Sequence, residues 1–299
     1  AITATAWRAV HAEGDGLPSL IVDKYGPYIV AQLLSAGLET ARDDVITAIR
    51  EVFGPAGILL RNDAGVRRHE GLAEEVVAAW GEVPQTVEVT EDGLRYLAAP
   101  WSGQKTGAFL DQRENRMMVG QHTRSGGRAL DLFTYHGSFA LHLARNAKAV
   151  LAIDQSAEAL ARGAENARLN GITNIEWREA NAFDFLRELE RRREQFDTIV
   201  LDPPAFAKSK ANIERAVAGY KEVNLRAMKI LAPGGVLFTS SCSYHVSRDI
   251  FNAMLADAAR DSGRRMQLLA ATGAAGDHPE LLNVPETGYL KGALLRASV

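Results

Sequence analysis

Cysteine is nearly absent: Cys242 is the only one in 299 residues. That excludes an internal disulfide and a cysteine-rich zinc site, so no metal is expected. A chain with a lone thiol fits a reducing compartment, the cytoplasm. Long apolar runs are missing too. None approaches the roughly 20 residues of a membrane span, and no membrane partner is expected. Nor does charge of one sign dominate. A net charge of −3 argues against a protein that coats nucleic acid over its whole surface, while leaving room for a local basic face. The opening, AITATAWRAV, has neither a charged-then-apolar signal pattern nor an initiator methionine, so part of the natural N-terminus is expected to be missing. Internal repeats and low-complexity segments are absent as well.

What is present describes a globular chain. Hydrophobic residues make up 46% and charged residues 24%, an ordinary balance. The length predicts one large domain or two unequal ones. Residues 1–100 read as a small, strand-rich α+β unit, with β-type runs SLIVDKYG and YIVAQLL. Val45, Ile46, Ile49 and Val52 at helical spacing predict a helix over 41–53. TVEVTEDGLRYLAA (86–99) reads as a hairpin turning at Asp92-Gly93. A connecting segment, 101–124, precedes a larger unit over 125–299.

In that larger unit short apolar strands alternate with helices. RALDLF, AVLAID, NIEWREA, FDTIVLD and GGVLFTSS are the strands, and 156–170, 182–194 and 214–231 are helices. Ser156 is a natural N-cap and Gly171 a natural stop. Such alternation predicts a doubly wound α/β sheet. MQLLAATG and YLKGALLRAS follow without a recognised helix between them and predict an antiparallel hairpin at one sheet edge. The charge run at 187–194 reads as the solvated end of a helix.

Ligands in such sheets bind beyond the carboxyl ends of the strands, and four motifs fall there. LDLFTYHGSFALHLA (130–144) ends a strand at Asp131 and turns at Gly137, where backbone is expected to approach a ligand closely. The dinucleotide fingerprint and the phosphate loop are both absent, so a nucleoside with an amino-acid tail suits this loop better than a polyphosphate. Asp154 ends the next strand, where an acid can accept both ribose hydroxyls; an acid at a helix start is the alternative. Asn181, with Ala182 beside it, stands where a polar side chain can read an adenine edge. DPPAFAKSK (202–210) holds Asp202 rigidly through Pro203 and Pro204, next to Phe206, an arrangement suited to a flipped base. Lys208, Lys210 and Arg215 either rim this site for phosphates or are solvated loop charges. The fourth motif is SSCSYHVS, with Cys242 at the fifth strand end, opposite Asp202.

Together these motifs resemble the class I S-adenosylmethionine-dependent methyltransferases, a Rossmann-like fold. More narrowly, HAEGDGLPSLIVDKYG, GQKTGAFLDQREN, LDLFTYHGSFALHLA, LDPPAFAKSK and SSCSYHVS resemble the bacterial 23S ribosomal RNA cytosine-5 methyltransferase family. The resemblance implies S-adenosyl-L-methionine as cofactor and ribosomal RNA as partner. It implies a cofactor site at Asp131, Phe133, Tyr135, Gly137, Ser138, Asp154, Gln155, Asn181, Ala182 and Asp202. Phe109 and Arg113 from GQKTGAFLDQREN are expected to close over the cofactor from the junction between domains. Pro203, Pro204, Phe206, Lys208, Lys210 and Lys105 are expected on the substrate side, and Cys242 and Asp202 as catalytic residues. The family carries an N-terminal RNA-binding PUA domain, and the chain starts after that point. Where another branch of RNA cytosine-5 methyltransferases holds a second cysteine, this chain has Ala205, leaving Cys242 as the one available thiol.

The implied chemistry is covalent: a thiolate adds to carbon 6 of cytosine, making carbon 5 nucleophilic. His245 is near but is not assigned as the base that later removes the carbon-5 proton. Amino-group methylation through Asp202-Pro203-Pro204, another RNA or small-molecule substrate, and a non-catalytic RNA-binding role stay open at this point. Oligomeric state is not set by the sequence, and a dimer is compatible with it.

Overall fold

The computed structural model describes residues 3–206 and 212–298. The chain divides into two compact units, Ala1–Arg113 with Ala275–Thr287, and Glu114–Ala274 with Gly288–Val299. The first unit thus takes in 101–113 of the expected connecting segment and a late excursion, 275–287, from within the expected large unit.

The first unit is built on a five-stranded sheet in the order β1-β2-β3-β4-β5, with β1 at Ala6–His11, β2 at Leu20–Tyr25, β3 at Tyr28–Leu33, β4 at Gly57–Asn62 and β5 at Glu75–Gly81. Only β3 and β4 pair in parallel. A parallel pair needs a crossover, supplied here by α1 (Ala36–Thr40) and α2 (Arg42–Phe53). Ile49 of α2 is buried against Leu20, Ile29 and Ile58 of the sheet. β6 (Val87–Glu91) and β7 (Leu94–Ala98) form the expected hairpin. Its turn takes positive φ at both Asp92 and Gly93, which matches the right-handed twist of the strands.

From its second residue α3 (Arg113–His122) belongs to the second unit, which then alternates β8 (Arg128–Leu132), α4 (Ser138–Ala144), β9 (Ala149–Asp154), α5 (Ala157–Leu169), β10 (Ile175–Glu179), α6 (Ala182–Arg191), β11 (Phe196–Leu201), α7 (Ile213–Ile230) and β12 (Leu231–Ser241). α8 (Arg248–Ser262), β13 (Met266–Thr272) and β14 (Lys291–Ala297) complete it. The sheet order is β10-β9-β8-β11-β12-β14-β13. The first five strands are parallel; β14 is antiparallel to both β12 and β13.

Each central strand is buried on both faces, as a parallel sheet requires. Leu130 and Leu132 of β8 join Phe185, Tyr220 and Phe251 in one core. Ala129, one residue earlier and so on the opposite face of the strand, joins Phe139 and Leu143 of α4 in the other. This is the Rossmann-like, doubly wound α/β fold that the alternation predicts. The expected antiparallel hairpin stands at the sheet edge, with β14 next to β12 and β13 outermost. A helix the sequence reading passed over, α8, covers the core with Phe251, Met254, Leu255 and Ala258. Adjacency of β9, β8, β11 and β12 lines up the residues that follow them (154–156, 133–137, 202–206 and 242–245) along one edge of the sheet.

Candidate active site

The loop after β8 carries unusual backbone. Phe133 (φ 64°), Tyr135 (φ 49°) and Gly137 (φ 76°) are all left-handed, and for the two that are not glycine this conformation costs of order 1 kcal/mol or more each. Tertiary bonds hold it. The Thr134 amide donates to the Ile153 carbonyl (3.0 Å) and the Gly137 amide to the Thr134 carbonyl (2.8 Å). The Thr134 hydroxyl donates to Asp131 Oδ2 at 2.5 Å. Asp131 is fully buried. Desolvation pushes its carboxyl up to about 7; the bond from Thr134 opposes this, while the Asp202 and Asp154 charges add to it.

Asp154, at the end of β9, is clasped by backbone. The Tyr135 amide donates to Oδ2 (2.9 Å) and the Ser156 amide to Oδ1 (3.0 Å). Ser138 opens α4 behind Gly137, and Gln155 is exposed between Asp154 and the Ser156 cap of α5. The place of a Cβ on Gly137 is filled by protein: such an atom would sit 2.3 Å from the Trp177 ring. The missing side chain therefore makes room for the Trp177 ring.

Asn181 has a structural duty that sequence reading missed. Its Oδ1 accepts from the amides of Phe183 (3.0 Å) and Asp184 (3.2 Å), so it caps α6, while Ala182 is buried behind it.

Two loops meet where β11 and β12 run side by side. Leu201 pairs with Thr239, so the next residues, Asp202 and Ser240, are neighbours, and the Ser240 hydroxyl donates to Asp202 Oδ1. Pro203 is buried and Pro204 exposed. Phe206 packs its ring against Tyr220 (centroids 4.5 Å apart), Phe183 (5.8 Å) and Phe133 (6.3 Å). It belongs to an aromatic cluster at the edge of the core, with part of its surface exposed. Lys208 and Lys210 lie outside the described residues. Cys242 is a half-buried thiol outside any disulfide. Its turn is tied to the proline loop by Tyr220 of α7, whose hydroxyl is 2.9 Å from Ser243 Oγ, with longer contacts of 3.5 Å to the Pro204 carbonyl and the Phe206 amide. His245 packs edge-on against Tyr244.

Three expected site residues belong to the first unit. Lys105 forms an ion pair with buried Asp111 and lies 4.9 Å from the Phe109 ring centroid. Arg113 donates to Asp277 Oδ2 at 2.7 Å. Both cations thus meet carboxylates of the protein itself. Burial opposes ionisation of Asp277, but bonds from His278 and Arg113 outweigh it and hold that carboxyl well below its usual range.

A model of S-adenosylmethionine-dependent methyltransferases matches residues 66–296. The chain belongs to that family. It is 43% identical over 297 residues to ribosomal RNA large subunit methyltransferase I of Aeromonas salmonicida (strain A449), covering 98% of this chain and 75% of that one. The same-named protein of Aeromonas hydrophila subsp. hydrophila is 42% identical over 298 residues, with the same coverage. Among solved structures, a protein assigned as a SAM-dependent methyltransferase from Streptococcus mutans has a TM-score of 0.85 at 21% identity, covering 99% of this chain and 76% of that one. SMU.776, solved as a complex with SAH, gives the same values. At such identity these two likenesses establish the fold. No helix among the described residues is long and apolar enough to cross a membrane.

The methyltransferase cofactor fits these donors chemically. The Asp131 carboxyl takes the Thr134 hydroxyl and a weak backbone hydrogen bond from the Ala140 amide, and its Oδ1, buried and without a bond of normal geometry, keeps lone-pair capacity for a ligand donor. Each oxygen of Asp154 takes one backbone N–H and keeps a lone pair for a hydroxyl. Sequence reading missed Ser240, Tyr220 and Lys291, whose ammonium donates to the Ser243 carbonyl. Lys291 did leave a signal, a charge within the apolar run YLKGALL, where lysine is rarely buried without partners.

Proposed function

We propose that this methyltransferase forms 5-methylcytosine in large-subunit ribosomal RNA through a covalent Cys242 adduct. Its relatives' names supply the RNA class, and the lone thiol agrees with a reducing cytoplasm. The observation that carries the chemistry is the β11–β12 pairing, which sets the Cys242 turn beside the Asp202-Pro203-Pro204 loop and links them through Ser240 and Tyr220.

S-adenosyl-L-methionine, when bound, supplies an electrophilic methyl group on a sulfonium. Asp154 would hold its ribose hydroxyls, and Asp131, Phe133, Tyr135, Gly137 and Ser138 its amino-acid side. Gln155, Asn181 and Ala182 would flank the adenine. The remaining work falls to the protein. Cys242 thiolate adds to carbon 6 of the flipped cytosine, and the ring electrons shift to make carbon 5 nucleophilic. Asp202, carrying a proton when the base is bound, donates it to ring nitrogen 3 and neutralises the negative charge that develops there as the thiolate adds. After carbon 5 gains its methyl group, loss of the carbon-5 proton to a base expels Cys242 as thiolate and restores the aromatic ring. Pro203, Pro204 and Phe206 shape the base's seat; Lys105, Phe109 and Arg113 support the motif that precedes α3.

The test is incubation of unmodified ribosomal RNA with labelled S-adenosylmethionine, followed by nucleoside mass analysis. Label is expected on cytosine carbon 5, and Cys242→Ala is expected to lower turnover by about 10³-fold or more. Label on an exocyclic amine, or an active Cys242→Ala variant, would sink the reading.

A further inference from the structure

Lys291 is the first residue of β14, and only 2% of its surface is exposed. A buried ammonium must be solvated by protein. Here two carbonyls do so: Nζ donates to Ser243 O at 2.7 Å and to Tyr289 O at 2.9 Å. Ser243 is the residue after Cys242, and it is itself fully buried. Its carbonyl also accepts from the Val246 amide (3.1 Å), closing the turn, and its hydroxyl meets Tyr220. Ser243 is thereby gripped from β14 on its backbone and from α7 on its side chain. Both grips reach far along the chain, across 48 and 23 residues.

We propose that Lys291 is a positioning residue for Cys242: acting through the Ser243 carbonyl, its buried ammonium fixes the cysteine turn and supplies the positive field that holds the thiol as thiolate. The proposal rests on Cys242 being the nucleophile. Thiolate, not thiol, is the attacking species, and a neighbouring lysine lowers a thiol's pKa from about 8.5 into the range of roughly 3.5–7.5. The other charged or titratable groups around the turn work differently. Asp202, beyond β11, would disfavour a thiolate. Tyr220 from α7 is neutral, its hydroxyl pushed up first by burial and further by Cys242. Tyr244 and His245 lie on the turn itself, and the Arg248 guanidinium, at the start of α8, donates to the Thr272 carbonyl. Lys291 brings its cation onto the cysteine turn through the Ser243 carbonyl.

Because the 299-residue chain has one cysteine, alkylation of this chain by iodoacetamide reports on Cys242 alone. Rates are measured from about pH 5.5 to 9.5 for wild type, Lys291→Met and Lys291→Arg, with cofactor binding as the check on folding. Wild type is expected to titrate at least one pH unit below an ordinary thiol. Lys291→Met is expected to alkylate about tenfold more slowly at pH 7, its midpoint moving up by about one unit, while Lys291→Arg stays within about threefold of wild type. A wild-type midpoint at or above about 8.5, a reading that needs no variant, overturns the proposal. So does a folded Lys291→Met protein with an unchanged profile. Failure of the covalent reading is separate: it would appear as a methylating Cys242→Ala variant, whatever the thiol titration shows.

Discussion

Gly137 is constrained twice, and the two constraints can be separated by measurement. Its φ of 76° is one that side chains rarely adopt, and the Trp177 ring occupies the place of a Cβ on it. The same ring blocks a Cβ on Gly163 of α5, at 2.4 Å. Gly171 has a similar φ, 65°, with nothing within 4 Å of its Cβ position. Backbone strain alone predicts a loss of about 1 kcal/mol for Gly171→Ala. For Gly137→Ala overpacking adds to it, giving about 3 kcal/mol in denaturant unfolding. Equal losses at the two positions would mean that Trp177 yields and that packing does not explain the glycine. This residue also marks a limit of sequence reading. That a glycine was needed in LFTYHG was legible, because the loop must turn sharply after a strand. What filled the space was not, since Trp177 arrives from another strand with no local signature. The same holds for Tyr220, whose hydroxyl reaches Ser243 only because α7 crosses the sheet face.

At the scale of elements, sequence patterning captured those whose signals are local. The central parallel strands are apolar runs, the edge strand β10 (IEWRE) is not, and the Asp92-Gly93 hairpin follows from turn chemistry. Pairing order is another matter. That β14 lies between β12 and β13 depends on an excursion, 275–287, that packs within the first unit, and nothing in the strands' own composition encodes it. α8 was readable but unread: Ser247 caps it, its Oγ accepting from the Ile250 amide, and its apolar residues fall at helical spacing. Asn181 shows an element's need beneath a proposed ligand contact. Removing a cap of this kind costs about 1 kcal/mol, so Asn181→Ala is expected to lose about that much stability, while Asn181→Asp, which keeps an acceptor at the helix start, stays within a few tenths. Chemical unfolding checks both. If Asn181→Ala lowers cofactor affinity at unchanged stability, the cap is not what this residue contributes.

Considered whole, the molecule carries an asymmetry in its response to acid. In the first unit His11 is buried beside Arg8 and His278, and burial first, then those charges, push it down to about 4. A histidine whose folded pKa is depressed binds its proton more readily when unfolded. Its contribution is therefore complete above about pH 6.5 and is lost as pH falls towards 4. The full shift corresponds to about 3 kcal/mol, and solvent screening brings the expectation to roughly 2. Asp277 extends the loss further: its carboxyl is held below the usual range, so its contribution disappears below about pH 3.8. The second unit has its own depressed histidine, His136, lowered by burial and then by Arg162 to about 4, but it also holds Asp131. A carboxyl raised to about 7 behaves oppositely: the folded state keeps a proton that the unfolded state releases above about 3.8, so its contribution grows as pH falls. Between pH 6.5 and 4 the two titrations offset each other. Hydrogen exchange followed peptide by peptide, corrected for intrinsic rates, is expected to show the β1–β5 sheet losing roughly 2 kcal/mol of protection over that interval while the β8–β12 sheet changes by less than half as much. An equal or larger loss in the second unit would mean that Asp131 does not hold its proton there, and with it would go the account of Asp131 as a desolvated carboxyl beneath the loop that follows β8.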